Sequence, residues 1–204
     1  MAVGRLLKKG LVVAVSGKGG VGKTTTTALM AKVLSESLPE KDILVIDANP
    51  DSNLPDVLGV RAPRTVGMVT DDLQRALAKS EISPAVSKQD VLESRIFEIL
   101  CETSGFDLLV MGRGEGEGCY CAVNAFLAHI IDRLVGNYDL TLIDMEAGLE
   151  HLSRRTDRDV DVMLVVTDPS SMGLLTARRI KEVAREVHID FKRFLLVGNR
   201  FKPD

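Results

Sequence analysis

Residues 11–25 read Leu-Val-Val-Ala-Val-Ser-Gly-Lys-Gly-Gly-Val-Gly-Lys-Thr-Thr, and this stretch constrains the fold more than any other part of the chain. The apolar run predicts a buried strand, and the glycines predict a turn in which several backbone N–H groups face one small concavity. A helix beginning at Lys23 adds the partial positive charge of its N-terminus to that concavity. A polyphosphate is the natural occupant. Gly17, Gly19, Gly20 and Gly22 permit close backbone approach, Lys23 reaches β- and γ-phosphates, and the Thr24 hydroxyl can ligate Mg2+. Gly19, Gly20, Val21, Gly22, Lys23, Thr24 and Thr25 are therefore the expected ATP/ADP-binding residues, with Thr24 also the Mg2+ ligand.

This is a Walker A loop with a second lysine, Lys18, near its start. Lys23 already serves the phosphates of its own subunit, so an obvious use for Lys18 is to reach a nucleotide held by a second copy. At this point the residues resemble the deviant Walker A ATPases: partition and septum-site ATPases, the nitrogenase iron protein and metal-insertion ATPases. The resemblance implies a homodimer in which Lys18 crosses a nucleotide-sandwich interface and stabilises transition-state charge in trans, as an arginine finger does elsewhere.

Length and composition fit one such domain over residues 1–204: the 45% hydrophobic content supports one large α/β core, and no long Pro/Gly/Ser linker divides the chain. No stretch is long and apolar enough to span a bilayer, and Lys8 and Lys9 sit beside a core strand rather than a cleavable signal, so a cytoplasmic location is expected. The net charge of −3 gives no general attraction to nucleic acid or anionic lipid. Three cysteines in such a chain argue against a disulfide framework and leave metal or redox use open.

Short apolar runs alternate with helical patterns. Strands are expected at 11–16, 43–47, 107–111, 140–144, 162–167 and 194–198, and helices near 23–37, 68–79, 88–101, 122–134 and 172–187. That alternation predicts an α/β fold with a doubly wound, mostly parallel sheet, on which ligands bind beyond the carboxyl ends of the strands.

The second strand runs into Asp47-Ala-Asn-Pro-Asp-Ser-Asn, and the strand at 140–144 into Asp144-Met-Glu-Ala-Gly. Carboxylates at neighbouring strand ends can hold Mg2+ waters and sense a γ-phosphate, although each can also simply cap a helix. By resemblance, 47–53 is switch I and 144–150 is switch II, with Asp144 the Walker B carboxylate and Gly148 offering its N–H to the γ-phosphate. One departure stands out. The group usually has Asp-x-Asp-Pro in switch I, and this chain has Asn49 where the second Asp orients water. A neutral amide positions water without accepting its proton, so slow hydrolysis is expected unless Asp51 substitutes.

The segment Met111-Gly-Arg-Gly-Glu-Gly-Glu-Gly-Cys-Tyr-Cys sets Cys119 and Cys121 two residues apart. Such a pair can grip a soft or borderline metal but leaves a tetrahedral shell half filled. Two loops meeting about a twofold axis would complete it. The combination of a deviant Walker A loop with Gly-Cys-Tyr-Cys, Asn-Pro-Asp-Ser-Asn-Leu and Glu-Ala-Gly-Leu-Glu-His resembles, along nearly the whole chain, the CooC family of nickel-inserting ATPases that mature carbon monoxide dehydrogenase. The resemblance implies Ni2+ or Zn2+ at the dimer interface and apo carbon monoxide dehydrogenase, or a related nickel enzyme, as client. Cys101 reads instead as a buried apolar residue at a helix end. Glu115 and Glu117 read equally as solvated loop residues or as attractors of an incoming cation, His129 as a packed or half-exposed helix residue, and His151 as a helix-start residue or a relay from switch II.

The last strand leads into Asn199-Arg200, and resemblance makes this pair the adenine side of the site, with the Asn199 amide donating to and accepting from the base. Related chains continue with a further strand and helix where this one stops at Asp204, so an open adenine side is expected. The functional expectation is an ATP-gated metallochaperone with no nucleic-acid or membrane partner. The alternatives are a ParA/MinD-like positioning ATPase, which needs a basic DNA face or an amphipathic helix, and a redox ATPase bridged by an iron–sulfur cluster.

Overall fold

A computed structural model describes residues 10–83, 87–113, 130–145, 160–186 and 191–202. Its centre is strand β1 (Leu11–Gly17), whose residues from Val12 onward are buried. A run apolar on both faces cannot sit at an edge, and β1 pairs in parallel with β5 (Leu140–Asp144) on one side and β6 (Val160–Thr167) on the other. β2 (Ile43–Asp47), buried throughout, lies between β5 and β4 (Asp107–Val110). The edges are β3 (Cys101–Glu102) and β7 (Phe191–Gly198), giving the order β3-β4-β2-β5-β1-β6-β7. Every pairing is parallel except the antiparallel one between β3 and β4.

Period-2 alternation divides each strand between two cores. Val13, Val15, Val45, Leu142 and Leu164 face helix α1 (Lys23–Ser37) and the short α2 (Leu54–Leu58) through Ala28, Ala31 and Leu54. Val12, Ala14, Ile46, Leu109, Ile143 and Val165 face the other layer. That layer comprises α3 (Val66–Ala78), α4 (Lys88–Glu98), a helical stretch at 130–135 and α5 (Ser171–Glu186). The doubly wound, mostly parallel sheet is thus as the sequence predicts.

Local chemistry moves several boundaries. α3 starts at Val66 because Thr65 is extended and its hydroxyl accepts from the Met68 N–H, capping the helix. α4 ends at Glu98 rather than continuing to 101. Cys101 instead opens β3 and is half-buried, not a buried helical residue, because pairing with Leu108 draws it onto the sheet edge. α2 is unforeseen, its five residues too short for any helical periodicity to register. Residues 122–129 of the helix expected near 122–134 lie outside the described residues, and 130–135 are helical, one residue beyond the expected end.

Candidate nucleotide site

The parallel register brings the carboxyl ends of β1, β2, β5 and β6 to one rim. Asp47 lies opposite Asp144, and Val15 opposite both Asp144 and Leu164. From that rim the chain turns at Gly17 to Gly22 and enters α1. Gly22 has φ 98°, and a Cβ there would stand 2.6 Å from the Asn199 amide nitrogen, so glycine is required both by conformation and by space. No side chain caps α1, and its first turn carries no acidic residue, which leaves the helix N-terminus available to an anion. Lys23 Nζ lies 3.2 Å from the Lys18 carbonyl, spanning the mouth of the loop.

Behind the loop sit two buried carboxylates. Asp47 Oδ1 accepts from the Asn49 N–H at 3.0 Å, and Oδ2 from the Leu54 N–H at 3.0 Å, so this side chain shapes the whole turn from β2 to α2. Burial pushes its pKa from 3.8 to about 6, opposed by those two N–H donors and aided by the charge of Asp144. Burial likewise raises Asp144, with Thr24, Lys23 and Thr27 pulling it down. Thr27 Oγ1 reaches Asp144 Oδ1 at 3.4 Å and the Lys23 carbonyl at 3.1 Å. Asp144 Oδ2 is buried with no hydrogen-bond partner of good geometry among the described residues. A carboxylate oxygen left so, beside the Thr24 hydroxyl, fits a site completed by the hydrated Mg2+ of a nucleotide.

A CobQ/CobB/MinD/ParA nucleotide binding domain matches residues 12–204. The chain belongs to this family. Its members are ATP-binding P-loop proteins, which accords with the loop and carboxylates just described. The chain is 54% identical over 194 residues to the uncharacterized ATP-binding protein MJ0685 of Methanocaldococcus jannaschii, covering 95% of this chain and 76% of that one. It is 35% identical over 189 residues to the carbon monoxide dehydrogenase accessory protein CooC of Rhodospirillum rubrum, covering 87% and 70%. The fold is shared with a ParA family ATPase from Chlorobium tepidum at a TM-score of 0.67, with 20% identity over 96% of this chain and 76% of that one.

The remaining expected residues fall around this family site in two groups. Asn49 Oδ1 accepts from the Asp51 N–H at 3.1 Å, and Asp51 is bound by Arg113 at 2.6 Å. Asn199 Nδ2 donates to the Val21 carbonyl at 2.8 Å, while its Oδ1 accepts from the N–H of Arg200, which is left-handed at φ 61°. The amide that the sequence assigns to the base therefore braces the phosphate loop. Gly19, Gly20 and Thr25 are exposed at the mouth, and Val21 is buried beneath it. Gly148, Cys119 and Cys121 lie outside the described residues. Among the described residues no three His, Cys, Asp or Glu side chains gather as a metal-holding group. None of their helices is long and apolar enough to cross a membrane.

Sequence reasoning missed Thr27, Asp168 and Arg113. Thr27 stands one turn beyond Lys23, a polar residue on the face of α1 that also buries Ala28 and Ala31, and that placement was the available signal. Asp168 follows β6 just as Asp144 follows the interior of β5, so the strand-end logic applied to Asp47 and Asp144 extends to it. Arg113 carries no such signal.

Proposed function

We propose that the chain is a Mg2+-dependent ATPase of the metal-handling kind, in which nucleotide closes a homodimer and the Cys119/Cys121 pairs of two subunits take one Ni2+ or Zn2+ ion as cargo for a client enzyme such as carbon monoxide dehydrogenase. One observation carries the reading. The segment that leads to Cys119-Tyr-Cys121 is fastened, at its described end, to the segment that reads nucleotide, through the Arg113–Asp51 ion pair. The similarity to CooC over 87% of the chain supports it.

The chemistry assigns each group a task. The loop N–H groups and Lys23 bind and orient the phosphates, and Thr24 with Asp144 and Asp47 holds the hydrated Mg2+, which neutralises phosphate charge. Lys18 stabilises transition-state charge in the partner subunit. Asn49 positions the attacking water without taking its proton, so turnover is slow and the closed state long-lived. Asp51 is engaged by Arg113 in this arrangement. Asn199 braces the loop at Val21, and with Arg200 it marks the side on which the base would lie. Sulfur ligands from two chains complete a tetrahedral shell that either pair alone leaves half empty.

The test is metal content and solution mass with and without a non-hydrolysable ATP analogue. One ion per dimer, appearing only with analogue and absent from Cys119→Ser and Cys121→Ser, is the expected result. A full complement of metal on the nucleotide-free monomer would overturn the reading.

A second reading draws on 30% identity over 183 residues to a cytosolic Fe-S cluster assembly factor Nubp1 homolog of Drosophila grimshawi, of which this chain covers 53%. In it the same thiols hold an iron–sulfur cluster. A brown, air-sensitive preparation with broad visible absorption favours that reading, and a colourless zinc-containing dimer opposes it.

A further inference from the structure

Lys18 is engaged within its own subunit. Its Nζ lies 3.8 Å from Asp168 Oδ2 and 3.5 Å from Ser170 Oγ, at the turn between β6 and α5. Those acceptors are fixed by groups other than the lysine. The Ser170 N–H at 3.2 Å and the Ser170 hydroxyl both donate to Asp168 Oδ1, which leaves Oδ2 for Lys18. The Ser170 Oγ in turn accepts from the Gly173 N–H at 3.0 Å, capping α5. Gly173 makes this possible, since a Cβ there would come within 2.3 Å of Asp168 Oδ1. The Ser170 hydroxyl foremost, and the lysine with it, lowers the Asp168 pKa, so the carboxylate is charged at neutral pH. The main chain of Lys18 is held too, by Lys23 Nζ on its carbonyl.

The geometry points to Asp168 and Ser170 as a resting receptor for Lys18, positioning residues that keep the trans-acting lysine in its own subunit until a second subunit claims it. The inference rests on the proposed role of Lys18 across the dimer, and adds to it the cis contact that must break first. A preformed acceptor loses little entropy on taking up the lysine. Its partners are partly exposed, so the grip is weak enough to be outcompeted by a triphosphate. Each closure exchanges the Asp168 contact for phosphate, and each hydrolysis removes the phosphate and lets the lysine return. The receptor thus opposes dimerisation in the nucleotide-free and product states.

Two readouts test it on the full chain with Asp168→Asn, which keeps an acceptor for Ser170 but removes the charge. The first is the rate at which Lys18 is acylated by a limiting amine reagent in the nucleotide-free protein, followed by peptide mass spectrometry. An amine engaged with a carboxylate reacts more slowly than a free one, so the rate at Lys18 should rise about two- to fivefold, the scale of a partly exposed ion pair, while Lys32 and Lys41 stay unchanged. The second is the ATP-analogue concentration that gives half dimer, which should fall by a similar factor of about two to five by linkage. Asp168→Glu should restore both values in part, as a folding defect would not. An unchanged Lys18 rate overturns the receptor. A faster Lys18 rate with an unchanged or higher dimer midpoint overturns its gating role while leaving the dimer itself intact. If the unsubstituted chain never dimerises with the analogue, it is the proposed trans function that falls, and the acylation rates still decide whether Asp168 holds Lys18.

Discussion

At the residue scale the site is a small set of buried carboxylates whose charge is set by what surrounds them. Asp47 has a pKa near 6 in the folded chain against 3.8 as the ordinary value. A group that binds its proton more tightly when folded adds stability below its unfolded pKa, and that contribution is lost as pH rises through the folded one. The unfolding free energy of the nucleotide-free chain, relative to Asp47→Asn, should therefore fall by up to about 3 kcal/mol between about pH 4 and pH 7. Urea titrations at a series of pH values measure this, and a flat difference would contradict it. Asn49 lies at the opposite extreme, a neutral amide that does not act as a base. Asn49→Asp should raise ATP turnover by about tenfold or more, the lower part of the range for a positioned general base, with little change in nucleotide affinity. Equal steady-state rates would show that the amide is not what limits hydrolysis. These residue types and their places at strand ends were legible in the sequence. Their protonation was not, because burial and the Leu54 N–H reach Asp47 only through the turn into α2.

At the element scale, the exit of the chain from β4 is set by loop geometry. Gly112, left-handed at φ 61°, packs against Thr65 so tightly that a Cβ would meet Oγ1 at 2.5 Å. The Gly67 N–H donates to the Met111 carbonyl at 2.9 Å. The chain thus leaves β4 beneath the capped start of α3. Removing the cap with Thr65→Ala should cost about 1 kcal/mol, seen as a lower Tm in the nucleotide-free protein. Arg113 and Asp51 are both more than half exposed, at 69% and 58%. Breaking that pair with Arg113→Gln should therefore change stability by less than about 1 kcal/mol. The same change should weaken the response of Cys119 and Cys121 alkylation rates to an ATP analogue; a response as large as in the unsubstituted chain would sever the proposed link. A sequence gives no warning of such a pair, since residues 51 and 113 come together only through the pairing of β2 with β4.

At the scale of the whole molecule, the proposed function is a linkage between two ligands and one interface. If nucleotide and metal both favour the closed dimer, each must tighten the other by the same factor. Calorimetric titrations of Zn2+ with and without an ATP analogue, and of the analogue with and without Zn2+, should return equal ratios; a metal affinity indifferent to nucleotide would break the scheme. The sequence by itself determined the phosphate loop, the alternation of strand and helix that yields a parallel sheet, the extra lysine and the two strand-end carboxylates. Those follow from local periodicity and from the chemistry of the glycine, lysine and aspartate residues themselves. Only the tertiary structure decided that β5 inserts between β2 and β1, that Thr27 reaches Asp144, that Asn199 braces the loop, and that Lys18 rests on Asp168. Each joins residues roughly a hundred or more positions apart, or strands whose order is set by helix packing on both faces. Local propensity carries no information about either.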